Sequence, residues 1–167
     1  MRQAAVGKAL GGAGLIGFLA LGSALAPAPA QASDPLSPIG TWRTIDDRTN
    51  KPDGVVQIYE ANGALYGRVT RIDDPKLRHA LCHDCGGYAH DKPVMGLVVM
   101  LNMRPNGDGW AGGTVLNPQN GEIYHCRMHL VDDGEKLVVR GYVGTPLFGR
   151  TQTWERLPDD VSVAASQ

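Results

Sequence analysis

From residue 39 to residue 156 the chain alternates apolar and polar positions in short runs rich in Val, Ile, Leu, Tyr and Thr, each closed by Gly, Asn, Asp or Pro. A period of two is the mark of a half-buried strand. Eight such runs are predicted: 39–44, 55–60, 65–72, 94–103, 109–116, 122–130, 136–144 and 150–156. The turn chemistry between them supports that count. Asn62-Gly63 is the strongest two-residue hairpin signal, because the central residues of a type I′ turn need positive φ. Asn106-Gly107-Asp108-Gly109, Asp132-Asp133-Gly134 and the longer Asn117-Pro118-Gln119-Asn120-Gly121 also carry turn residues. All connections but one are short, so neighbours in sequence are expected to pair as a meander. No long segment has a helical period, and the few helix-compatible residues fall at 74–83, inside the one long loop.

A meander of eight strands keeps two unpaired edges unless it closes on itself. Closed, it encloses an interior just wide enough for side chains or one small ligand. No helix is available to cover an open sheet. The expected fold is therefore all-β, an eight-stranded antiparallel up-and-down barrel with one long loop, and a two-sheet sandwich is its rival.

The residues ahead of the barrel change the picture of where it works. Arg2 and Lys8 precede an apolar stretch from Ala9 to Ala26, followed by Pro27-Ala28-Pro29-Ala30-Gln31-Ala32. Basic, then apolar, then small residues in an Ala-x-Ala site is the order of a secretory signal peptide, expected over 1–32 with cleavage after Ala32 or Ala30. A retained transmembrane anchor is the competing reading, but the stretch barely reaches the roughly 20 apolar residues a bilayer demands. The expected organisation is a leader (1–32), one barrel domain (33–157) and a flexible tail (158–167), in a periplasmic or secreted protein with no stable membrane insertion after cleavage. Losing Arg2 and Lys8 leaves 14 Lys and Arg against 17 Asp and Glu, a formal charge of −3 that argues against nucleic acid as a partner.

Several ordered segments carry a family resemblance. They are Gly40-Thr41-Trp42, Leu65-Tyr66-Gly67-Arg68-Val69, Pro93-Val94-Met95-Gly96-Leu97, Trp110-Ala111-Gly112-Gly113, Asn117 to Tyr124, Arg140-Gly141-Tyr142-Val143-Gly144 and Gly149-Arg150-Thr151-Gln152-Thr153-Trp154. Together they resemble the bacterial family called domain of unknown function 2147, small exported proteins with a lipocalin-like barrel. The resemblance covers residues 38–157 and implies the fold; the family brings no established activity with it. Gly40, Trp42 and Arg156 are also similar to the arrangement in the wider lipocalin and fatty-acid-binding group, where a Gly-x-Trp on the first strand packs against an Arg of the last. That likeness implies a barrel closed at one end by Trp42 under the Arg156 guanidinium, a cation–π contact worth roughly 0.5–1 kcal/mol where exposed.

Parity assigns faces. On the sixth strand Tyr124, Cys126, Met128 and Leu130 are expected to point inward and Ile123, His125, Arg127 and His129 outward. On the seventh, Leu137, Val139, Gly141 and Val143 are expected inside. The eighth is ambiguous. If Trp154 points in, Arg150 and Gln152 point in with it and become candidates for gripping the carboxylate or other polar head of a small ligand, with Tyr124 and Met128 lining an apolar sleeve. If Trp154 points out, Arg150 and Gln152 are merely solvated and Thr151 and Thr153 face the interior.

The long loop, 73–93, holds Cys82-His83-Asp84-Cys85 and three of the five His, at 79, 83 and 90. Loops of this length are usually functional or disordered. An oxidising compartment favours a disulfide, either Cys82 to Cys85 or one of them to Cys126. A zinc site built from Cys82, Cys85, Cys126 and one His is a second reading, although the second half of a strong zinc signature is missing. A redox-active Cys-x-x-Cys is the third, without the βαβ context such motifs keep. No cofactor is otherwise indicated. No nucleophile elbow, His-Glu-x-x-His pair, phosphate loop or dinucleotide fingerprint occurs, and Asp46-Asp47, Asp73-Asp74 and Asp132-Asp133 read as turn acids. The leading expectation is a non-enzymatic barrel that binds a small, partly apolar ligand. An envelope metal-binding or thiol-redox protein is the alternative.

Overall fold

The computed structural model describes residues 36–46 and 49–158. The expected leader and all but the first residue of the expected tail lie outside them. Eight antiparallel strands close into a barrel in chain order. They are β1 (Gly40–Asp46), β2 (Lys51–Ala61), β3 (Ala64–Ile72), β4 (Val98–Asn106), β5 (Gly109–Leu116), β6 (Ile123–Val131), β7 (Lys136–Tyr142) and β8 (Gly149–Leu157). Closure comes from pairing of the first strand with the last, with Thr41 opposite Leu157, Trp42 opposite Arg156 and Arg43 opposite Glu155. No sandwich forms, because that pairing turns both edges inward upon each other.

Several boundaries depart from expectation, among them the start of β2, at Lys51 and not at residue 55. The fourth strand begins at Val98, not at residue 94: Val94 N–H donates to Ala80 O inside the loop, and Gly96, although its N–H reaches Val69 O of β3, has φ 84°, outside strand geometry. The seventh ends at Tyr142. Val143 is consequently a turn residue, 63% exposed, and does not continue the interior face as its parity suggests. The hairpin turns are built as their residues demand, with Asn62 and Gly63 both at positive φ.

The core is a packed floor of Trp42, Ile58, Met100, Met103, Met128 and Leu137, all effectively inaccessible. Met100 and Met103 are an odd number of positions apart, and a regular strand would send one of them outward. Asn102, at φ 56°, resolves the conflict with a bulge against β3, where Met100 lies opposite Gly67 and Met103 opposite Leu65, while the pairing with β5 keeps a single register. Flexible thioethers fill the floor where branched side chains would need better-matched space.

Candidate functional site

At one end the barrel is shut. Arg156 lies over the Trp42 ring, 4.3 Å from its centroid, and donates to three backbone carbonyls: Gly134 O at 2.7 Å, Ser37 O at 2.7 Å and Ile39 O at 3.3 Å. Trp42 Nε1–H donates to Pro38 O at 2.8 Å. Gly40, at φ 142°, has the Arg156 guanidinium where a Cβ would project, so a side chain there would crowd the closure.

At the other end a cavity of about 1460 Å³ opens to solvent. That exceeds the roughly 300–1,000 Å³ usual for small-molecule sites. Its deeper wall is apolar: Val56, Val69, Val99, Val115, Val139 and Trp154. Nearer the mouth, Tyr124, Arg150 and Gln152 share the wall with Glu122 and Asn120.

The direction of Trp154 decides this arrangement. Trp154 is buried and packs with the core, opposite Leu137 of β7. Two-residue periodicity then carries Gln152 and Arg150 along the same inner wall toward the mouth, opposite Val139 and Gly141. Trp154 Nε1–H donates to Gln152 Oε1 at 2.9 Å, which fixes the amide and aims its two N–H donors elsewhere. Thr151 and Thr153 are on the exposed outer face.

Across from Arg150, Gly141 has no side chain, and the space beside it is taken by Tyr124 and Val115. Tyr124 O–H donates to Glu122 Oε2, which also accepts from Asn120 Nδ2 at 2.9 Å. The Glu122 carboxylate accepts the phenolic proton and raises the Tyr124 pKa, burial adds to the effect, and the Asn120 bond and the nearby Arg150 charge oppose it. Met128 belongs elsewhere. It is 2% exposed in the packed floor, opposite Trp110 and Val139, and is not among the residues lining the cavity. The apolar sleeve is made by valines instead, because at this depth the thioether has already met its neighbours from across the barrel.

A second polar wall was not anticipated. Thr44 and Asp46 of β1, Asp53 of β2 and Arg71 of β3 also line the mouth. Thr44 O–H donates to the Asp53 carboxylate, and Arg71 pairs with Asp73 at 2.8 Å. Burial holds the Asp53 pKa above the ordinary carboxylate value, against the lowering effect of that hydroxyl. Parity from Trp42 through Thr44 to Asp46 carried this signal in the sequence. On β3 a bulge, which sets Val55 opposite Arg71 and Val56 opposite Val69, obscured it.

The cysteines separate. Cys82 and Cys85 lie at disulfide distance, their Cα atoms 5.3 Å apart, while Cys126 is free and buried on β6. Burial pushes its thiol up to about 12. The zinc set of three Cys and one His is not brought together, and no group of three or more His, Cys, Asp or Glu is placed to hold a metal among the described residues. The reason is topological: Cys126 faces into the barrel, whereas Cys82 packs against the β5–β6 turn, its Sγ 3.6 Å from Pro118 O. His83 and His90 flank Asp91 within the loop, at 2.7 Å and 3.2 Å, and His90 Nδ1–H donates to Cys85 O at 2.9 Å.

Comparison with known proteins agrees with this architecture. A protein of Helicobacter pylori, described as belonging to the lipocalin family, superimposes with a TM-score of 0.65 at 20% identity, over 76% of this chain and 87% of that one. No curated protein matches the chain. A family model described as an uncharacterized protein conserved in bacteria matches residues 40–156, the whole barrel but its last residue, and the chain therefore belongs to that family, DUF2147.

Proposed function

We propose that this chain is an exported, non-enzymatic binding protein that holds one small, partly apolar molecule with its polar or anionic head toward the barrel mouth. The observation that carries the reading is the inward Trp154, which puts Gln152 and Arg150 above an apolar wall inside one open cavity. An apolar chamber with a few convergent polar groups is the usual form of such a site. Arg150 supplies a fixed positive charge and a planar set of donors suited to a carboxylate or sulfonate. The lipocalin family description of the Helicobacter pylori barrel supports the same reading. Export is supported by the leader pattern and by Cys82 and Cys85 at bonding distance, an arrangement an oxidising compartment maintains.

An anionic apolar dye, anilinonaphthalene sulfonate, tests the site directly. One equivalent is expected to bind with energy transfer from tryptophan, and Arg150→Ala is expected to weaken it by roughly tenfold, as loss of a charge-assisted contact implies. Native mass spectrometry of gently purified protein is expected to show a co-purified small molecule. No retained molecule, together with dye affinity indifferent to Arg150→Ala and Gln152→Ala, would sink the proposal.

A further inference from the structure

The rim of the open end has an unusual composition. The turn between β7 and β8 presents Val143, Leu147 and Phe148 at 63%, 85% and 76% exposure, where turns are ordinarily polar. It is also braced. Arg140, from the outer face of β7, donates to Pro146 O at 2.7 Å, Thr151 Oγ1 at 2.7 Å and Leu147 O at 3.4 Å, and Val143 N–H donates to Phe148 O. The apolar tip is thus held outward and does not fold back over the barrel.

On the long loop, Leu77 and Leu81 are half exposed and border the same cavity as Phe148. Charge follows the apolar residues. Residues 75–83 contain Lys76 and Arg78, residues 143–154 contain Arg150, and neither segment contains an Asp or Glu. The acids of the mouth, Asp46, Asp53, Asp74 and Glu122, lie outside both segments. Exposed apolar tips with adjacent cations, on a chain whose formal charge is negative overall, match an anionic lipid surface. Such tips enter the boundary between headgroups and acyl chains while cations meet the phosphates.

We propose that the open end of the barrel docks on an anionic membrane surface through Leu147 and Phe148, with Lys76 and Arg78 facing the headgroups. This is peripheral attachment; no helix among the described residues is long and apolar enough to cross a membrane. Docked this way, Phe148, Leu77 and Leu81 place apolar side chains between the bilayer and the cavity they line. That purpose rests on the binding function proposed above, whereas the docking surface itself does not.

The test places an environment-sensitive dye on Leu147→Cys in the full chain as the cell leaves it, labelled without reductant so that the paired and the buried cysteines stay unmodified. Vesicles with about one-third phosphatidylglycerol are expected to shift the emission to the blue and raise it several-fold, phosphatidylcholine vesicles much less, and added salt is expected to weaken the response. Phe148→Ser combined with Lys76→Glu and Arg78→Glu is expected to raise the lipid concentration for half-maximal response by about tenfold or more, since both the apolar and the ionic contribution are lost. The same dye on Thr153→Cys, on the outer wall, is expected to stay unshifted. No shift on anionic vesicles, an equal shift from Thr153, or a lipid-independent shift accompanied by dimerisation in sedimentation velocity overturns the proposal, the last in favour of a second copy on this face. Dye binding in the cavity, measured without vesicles, reports separately on the ligand site.

Discussion

Single side chains settle the two ends of this molecule. Arg156 is the clearest case, because one guanidinium satisfies three carbonyls and covers an indole. A planar fork can do this and an ammonium cannot. Arg156→Ala is expected to lower stability by about 2–3 kcal/mol, and Arg156→Lys to recover less than about half of that, since the cation–π contact and the bonds to two part-buried carbonyls are lost together and an ammonium cannot restore all of them. Urea unfolding measures both, and a loss below about 0.5 kcal/mol for Arg156→Ala would mean that strand pairing alone closes this end. At the open end the corresponding residue is Trp154, whose orientation determines which way Gln152 and Arg150 face.

At the scale of elements, the long loop is tied to the barrel by packing against the β5–β6 turn. Gly121, at φ 71°, sits where any Cβ would collide with the Asp84 carbonyl. The turn is otherwise self-supporting, with Gly121 N–H donating to Asn117 O at 2.9 Å and Asn117 N–H to Glu122 O at 2.9 Å. Gly121→Ala is therefore expected to lose about 2 kcal/mol or more, combining a left-handed backbone with a steric clash. Its second signature is local: limited proteolysis is expected to cut the 73–97 loop faster than in the parent, and unchanged cleavage with unchanged stability would show the loop to be independent of that turn. The loop itself was legible from length and composition. Its contact with residue 121 was not, because nothing in local sequence reports what lies across a turn.

For the molecule as a whole, a buried thiol and a half-buried carboxyl shape the dependence of stability on pH. Cys126 keeps its proton in the folded state up to about 12, against an ordinary value of 9.0, because burial disfavours the thiolate. Between those values the unfolded chain has released the proton and the native chain has not, so stability falls as pH rises through that window. The expected slope is on the order of 1 kcal/mol per pH unit from this group. Asp53 acts in the same sense in the acid range, since burial raises its value above 3.8: stability falls as pH rises from there through its folded pKa. Cys126→Ala is expected to flatten the alkaline limb measured by denaturant titration at pH 9 to 11, after allowing for the small cavity it leaves; an unchanged slope would show that the thiol ionises freely in the fold.

Strand number, antiparallel order and the closed barrel followed from the two-residue period and the turn residues, because those signals are local and eight paired strands with no covering helix leave closure as the way to remove edges. The inward face of β6 followed for the same reason, with Cys126 and Met128 buried and Ile123, His125, Arg127 and His129 exposed. Tertiary structure decided what depends on register and on partners far along the chain. Asn102 shifts the parity of β4, a bulge does so on β3, Val143 leaves the interior where its strand stops, and Met128 joins the floor instead of the cavity wall. The sulfurs of Cys82 and Cys85 meet while Cys126 stays apart, and Trp154 turns inward, because only the closed barrel specifies which sequence-distant surfaces face one another.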